Sequence, residues 1–75
     1  MPLKYKNGYP ISVDDNISYA GQFGKIVFWT DGNVADALKD ENWADAIRRG
    51  VAIRFENGAL LTLEDPEKDF HLEIR

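Results

Sequence analysis

Few side chains in this 75-residue sequence can be activated for covalent chemistry: one histidine, His71, two serines, Ser12 and Ser18, and no cysteine. A Ser–His–acid relay would need one of those serines beside His71 with a carboxylate behind it, and no motif joins them. His71 stands between Phe70 and Leu72, so strand alternation turns it away from the face those two share. Oxygen ligands occur in two runs, Asp14-Asp15-Asn16 and Glu64-Asp65 followed by Glu67 and Asp69. Neither has the alternating acids and central glycine of a calcium loop. Gly21-Gln22-Phe23-Gly24-Lys25 lacks the length and the Ser/Thr of a phosphate-cradling loop and does not open a helix. The expectation is a protein without catalytic residues, metal or cofactor.

Binding is the chemistry the composition does suit. The net charge is −4, and it is unevenly placed. Lys4, Lys6 and Lys25 balance Asp14, Asp15 and Asp31 up to residue 33, whereas Arg54, Lys68 and Arg75 face six carboxylates after residue 50. An acidic surface steers basic partners and sets specificity, as well as keeping a small domain soluble. The residues expected to carry such a contact are Asp36, Asp40, Glu41 and Asp45, with Glu64, Asp65 and Glu67. A second reading places single-stranded nucleic acid on the aromatics Tyr19, Phe23 and Trp29 with Lys25. The acidic balance and the few cations argue against it, because non-specific affinity comes from neutralised phosphates. A third reading is a structural component of a larger assembly, which self-association at micromolar concentration would favour; the expectation for the chain in general is a monomer or weak homo-oligomer.

The elements that must position these residues are organised around Val51–Leu63. Val51, Ile53 and Phe55 alternate with Ala52 and Arg54, the period of a half-buried strand, and Asn57-Gly58 marks a reversal. A two-residue loop would set Phe55 opposite Leu60 and put the second strand's apolar residues on the wrong face. A three-residue loop, Glu56-Asn57-Gly58, with Gly58 in the left-handed bulge position, pairs Phe55 with Ala59, Ile53 with Leu61 and Val51 with Leu63.

Upstream, Lys25–Thr30 is nearly all apolar and β-prone, which predicts a central strand covered on both faces. A strand begins at Ile17–Tyr19, and Ala20–Gly24 reads as a glycine-bounded loop. Residues 34–49 predict a helix, secure from about Glu41 to Arg49, with Asn33 as N-cap, Trp43 and Ile47 turned to the core, and Gly50 as C-cap. Glu64-Asp65-Pro66 is a turn, and Phe70, Leu72 and Ile74 predict a last strand with one apolar face. Residues 1–12 fit either a hairpin about Asn7-Gly8 or a loosely held arm. The result is one mainly β (β-rich α+β) domain: a five-stranded antiparallel sheet, strongly bent or closed as a small barrel, with one helix between strands 2 and 3. No run approaches the length of a membrane span and no leader-like segment is present, so a cytoplasmic protein is expected.

The stretch Val13–Phe28, with its Asp14-Asp15-Asn16-Ile17-Ser18-Tyr19 strand, Gly21-Gln22-Phe23-Gly24 loop and Lys25-Ile26-Val27-Phe28 strand, resembles the opening of small SH3-like or KOW-type barrels. Over most of its length the chain also resembles a group of short, acidic, uncharacterised bacterial proteins. The features that carry this are Asn7-Gly8 with Ile11, Asp15 to Phe28, Trp43 with Gly50, Val51–Phe55, and Glu64-Asp65-Pro66 with Asp69-Phe70-His71-Leu72. That resemblance implies an SH3-like barrel and a role as an immunity-type inhibitor accompanying a toxin. The chain departs from the family pattern at Asn33–Asn42, where the family has an aromatic- and proline-bearing loop, so a partner site on that segment is not carried over.

Overall fold

The computed structural model describes residues 3–75. Its centre is a nine-residue strand, β2 (Gln22–Thr30), which is flanked along one side by β4 (Gly50–Phe55). Nine residues at about 3.3 Å each give a strand long enough for two short neighbours on its other side. β1 (Asn16–Tyr19) pairs with its first half and β3 (Ala35–Ala37) with its second. With β5 (Leu60–Leu63) outside β4, and β6 (Leu72–Ile74) outside β1, the order is β5-β4-β2-β1-β6 with β3 off this path. Every pairing is antiparallel, and the sheet is open, because β5 and β6 do not pair. The sheet therefore has six strands, not five, and it does not close into a barrel.

The β4–β5 hairpin has the expected register: Val51 lies opposite Leu63 and Ile53 opposite Leu61. The Phe55 N–H donates to Ala59 O at 2.8 Å and Gly58, at φ 90°, closes the bulged turn. Residues 3–12 are an ordered hairpin-like arm. Tyr5 N–H donates to Tyr9 O and Ile11 N–H to Leu3 O, each at 2.9 Å, and Leu3, Tyr5 and Ile11 are buried. Three apolar side chains in the core hold an arm that two hydrogen bonds could not. Met1 and Pro2, included in the stretch expected to be a hairpin or arm, lie outside the described residues.

The expected helix is absent. After β3 the chain turns at Asp40, which sits at φ 64°, and only one helical turn forms, with the Ala46 and Ile47 N–H groups both donating to Trp43 O at 2.9 Å. Asn33 is not an N-cap: its own N–H, with that of Val34, donates to the Asp31 carboxylate. Gly50 is not a C-cap but the first residue of β4. The physical reason is competition. Asp and Asn side chains bond their own backbone in non-helical conformations, and the second half of β2 offers an unpaired edge that β3 satisfies. What the helical spacing of Trp43 and Ile47 did signal is real: both pack on Phe28 and Val27.

Two smaller differences follow from strand pairing. The loop at Ala20–Gly24 is only the two-residue turn Ala20-Gly21, since Tyr19 already pairs with Gln22. Both turn residues have positive φ, 51° and 86°, so Ala20 adopts the left-handed conformation that suits Asn or Gly. Ala20→Asn should stabilise the domain by about 0.5–1 kcal/mol, a rise of a few degrees in Tm; an unchanged or lower melting temperature would contradict the turn geometry. At the other end, Phe70 is 80% exposed and precedes β6, so the last strand carries only Leu72 and Ile74 inward.

A bulge in β2 decides the packing. Ile26 pairs with Ile53, but Phe28 pairs with Ala52, so Val27 has no partner on β4. Ile26 joins Leu3, Tyr5, Ile11, Ile17, Val51, Ile53 and Leu72 in the main core, with Trp29 packed against it. Val27 and Phe28 turn to the outer face, where Ala52 and Ile47 complete a second core under Leu38 and Trp43. Of the two aromatics Phe28 and Trp29, Phe28 is the one that faces away from the main core, and the segment 38–47 covers it. Among the described residues no helix is long and apolar enough to cross a membrane.

Candidate functional site

The outer face of the sheet is divided. Its β3 half is roofed by residues 38–47. Its β1 half is bare and carries the side chains that alternate with the core: Phe23 and Lys25 on β2, Arg54 on β4, and Arg75 just after β6. Lys25 lies directly opposite Arg54 on one side and opposite Asn16 on the other. Arg75 follows β6 and donates its backbone N–H to Asn16 O at 2.9 Å, which brings its side chain to the same surface.

The border between roof and bare face is the Glu41–Arg54 ion pair. Arg54 donates Nε to Glu41 Oε2 at 2.7 Å and an Nη to Oε1 at 2.9 Å, and a further Nη to Gly58 O at 3.0 Å. Its guanidinium also stands 6.0 Å from the centre of the Trp43 ring. This forked pairing lowers the Glu41 pKa against a partial opposing effect of burial. Asp31 is lowered further, to about 2, by the Val34 and Asn33 N–H groups it accepts. Both carboxylates are thus held below their unfolded values, so their stabilisation is complete above about pH 5 and is lost as pH falls through the folded-state pKa values. Melting temperature should drop between pH 5 and 2, and the double variant D31N/E41Q should show a shallower drop than the wild type in thermal melts across that range.

The seven acidic residues expected to meet a partner do not form one patch. Asp36 is on β3, Asp40 and Asp45 are on the roof segment, and all three are exposed and outside any ion pair among the described residues. Glu41 is consumed by Arg54. Glu64 and Glu67 are exposed beyond the end of β5, Glu64 beside Arg48 and Arg49 in a shallow cleft. Asp65 is within 3.8 Å of Lys68.

The four residues of the second reading separate as well. Phe23 and Lys25 share the bare outer face, but Tyr19 and Trp29 pack against the main core from the other side. The Tyr19 hydroxyl donates to Asp69 at 3.2 Å, and its ring meets Phe55 and His71. Arg54 and Arg75 are the neighbours of Phe23 and Lys25 that sequence reasoning missed. Alternation along β4 pointed Arg54 away from the core, but nothing local placed residue 75 beside residue 23.

The oxygen-rich runs have structural roles. Asp15 accepts the buried Tyr5 hydroxyl at 2.8 Å and the Ser12 N–H at 3.0 Å; burial, and then the Asp15 carboxylate beside it, raise the Tyr5 pKa. Asp69 accepts the His71 N–H. Among the described residues no group of three or more His, Asp or Glu could hold a metal ion. Ser12 and Ser18 make no hydrogen bond to His71, whose side chain is exposed. No family model matches this chain, and no curated protein or solved structure is significantly similar to it.

Proposed function

We propose that the protein is a non-catalytic binding module that presents the acidic side chains Asp36, Asp40 and Asp45 to a basic protein partner. One observation carries this reading. The segment from β3 to β4 is anchored through Leu38, Trp43 and Ile47 on Phe28, while its unpaired carboxylates project outward. Charges carried on an ordered segment cost little conformational entropy on association and supply a steering field. Glu64 and Glu67 extend the same sign of charge beyond β5; Glu41 and Asp65 contribute less, because Arg54 and Lys68 neutralise them. The inhibitor-like role that the sequence resemblance implies, and the SH3-like relationship, are particular forms of this reading.

The triple variant D36N/D40N/D45N tests it. The side chains are exposed, so the fold should survive with a change of less than about 0.5 kcal/mol per site. Association with a basic partner protein should slow by at least tenfold at low salt, and the wild-type rate should fall toward the variant's as salt screens the field. Unchanged association kinetics in surface plasmon resonance would overturn the assignment.

A further inference from the structure

The bare half of the outer face has a feature unlike the rest of this acidic chain: three cations converge there beside an exposed aromatic. A cleft of about 430 Å³ is bordered by Asn16, Gly24, Lys25, Arg54, Glu56 and Arg75. A second cleft, of about 250 Å³, adjoins it at Glu56 and is lined by Gln22, Phe23, Phe55, Glu56 and Asn57. Together they make a charged recess and an aromatic one side by side, of a size that holds a small ligand or a short stretch of a longer one. We propose that this pair of clefts binds a nucleotide unit, its phosphate among Lys25, Arg54 and Arg75 and its base against Phe23.

Each residue type suits that role. Glu41 and the Gly58 carbonyl take three of the five N–H groups of Arg54, which fixes the guanidinium and leaves two donors over. The bridge from Lys25 to Asp14, at 3.0 Å, joins side chains that are 45% and 65% exposed; such a pair contributes little and a phosphate can displace the carboxylate. Arg75 has no carboxylate partner among the described residues and lies over the Phe23 ring at 3.9 Å. Phe23 is still 47% exposed, which leaves ring surface for a base. Asn57 accepts the Ala59 N–H through its amide oxygen, so its amide N–H groups remain for a base edge, and the Gln22 amide lines the same recess. A peptide of acidic residues would use the cations and could use the amides but has no ring to lay on Phe23, and on that ground the nucleotide is preferred. Glu56, between the clefts, and Asp14 and Glu41 behind the cations keep the affinity modest. Asp36, Asp40 and Asp45 line neither cleft, so either proposal can fail without the other.

The test is an amide-shift NMR titration of the full chain at low salt with four probes: 5′-AMP, a ten-residue single-stranded RNA, inorganic phosphate and polyglutamate. The proposal expects nucleotide and RNA to shift Gln22, Phe23, Lys25, Arg54 and Arg75, with phosphate alone at least tenfold weaker. RNA binding tighter than AMP would assign the site to a polymer, and equal binding per nucleotide to the free ligand; either supports a nucleotide site. For RNA, engaging about two phosphates, log K should fall with log salt at a slope near −1.4. Phe23→Ala, at an exposed position, should keep the fold and weaken AMP and RNA by about tenfold or more. No shift with AMP or RNA, phosphate binding as tightly as AMP, polyglutamate shifting the same residues as strongly as RNA, or an unaffected Phe23→Ala variant would each overturn it.

Discussion

Replacing Gly50 by alanine should remove a large part of the domain's stability. Gly50 begins β4 at φ 124°, a conformation that L side chains rarely adopt. A Cβ there would overlap the Leu63 carbonyl oxygen and stand 2.9 Å from Glu64 Cα and from Leu63 C. All three neighbours are backbone atoms, at the end of the paired strand and just beyond it, so they cannot swing aside as a side chain would. Gly58 is the internal control: it also has positive φ, at 90°, but nothing lies within 4 Å of the added atom. Gly58→Ala should therefore cost only the left-handed strain, about 1–2 kcal/mol. Gly50→Ala adds displacement of β5 from β4 and should cost at least about 3 kcal/mol. At roughly 0.05–0.15 kcal/mol per residue, a domain of this length has only about 4–11 kcal/mol to lose. Urea unfolding followed by tryptophan fluorescence would measure both variants. A Gly50→Ala midpoint no lower than that of Gly58→Ala would mean that β4 and β5 do not pinch together at this point.

Phe28→Ala should cost about 3–5 kcal/mol, as expected for truncating a large buried aromatic. Phe28 is 1% exposed and lies between Ala37 of β3 and Ala52 of β4. Because both cross-strand neighbours are alanines, little is available to fill the space it leaves. The loss should also be local in a recognisable way. Leu38, Trp43 and Ile47 rest on this ring, so amide exchange should accelerate first at Leu38, Ala46 and Ile47, whose N–H groups bond to Val27 O and Trp43 O. Phe70→Ala, at a position 80% exposed, should stay within about 0.5 kcal/mol of the wild type. Uniform acceleration of exchange across the main core, or a small cost for Phe28→Ala, would mean that the second core does not hold the roof in place. The acidic segment depends on this anchorage, so Phe28→Ala should also weaken any contact made by Asp36, Asp40 and Asp45.

The β4–β5 hairpin was legible in the sequence down to its register. Its determinants are local: alternation of period two in Val51–Phe55, a glycine where the turn needs positive φ, and a partner strand three residues away. The same local rules found the turn that begins at Val13-Asp14 and the central position of Lys25–Thr30. The stretch 34–49 was not legible. Trp43 and Ile47 have helical spacing, but the chain satisfies them with one turn, because the free edge of β2 and the Asp and Asn side chains compete for the backbone that a helix would use. Which of Phe28 and Trp29 faces the main core depends on a one-residue bulge, and nothing in an apolar run marks where such a bulge falls.

The uncovered face shows the limit most clearly. Residue types told which side chains could bind an anion or stack on a ring, since those properties belong to the side chain alone. Their grouping depended on pairing across the sheet. Tyr19, Phe23, Lys25 and Trp29 are neighbours along the chain yet divide between opposite faces. Phe23 and Arg75, fifty-two positions apart, are brought into contact because β1 pairs with both β2 and β6. Local alternation determines which way a side chain points from its own strand, and only the packing of strands distant in sequence decides what it meets there.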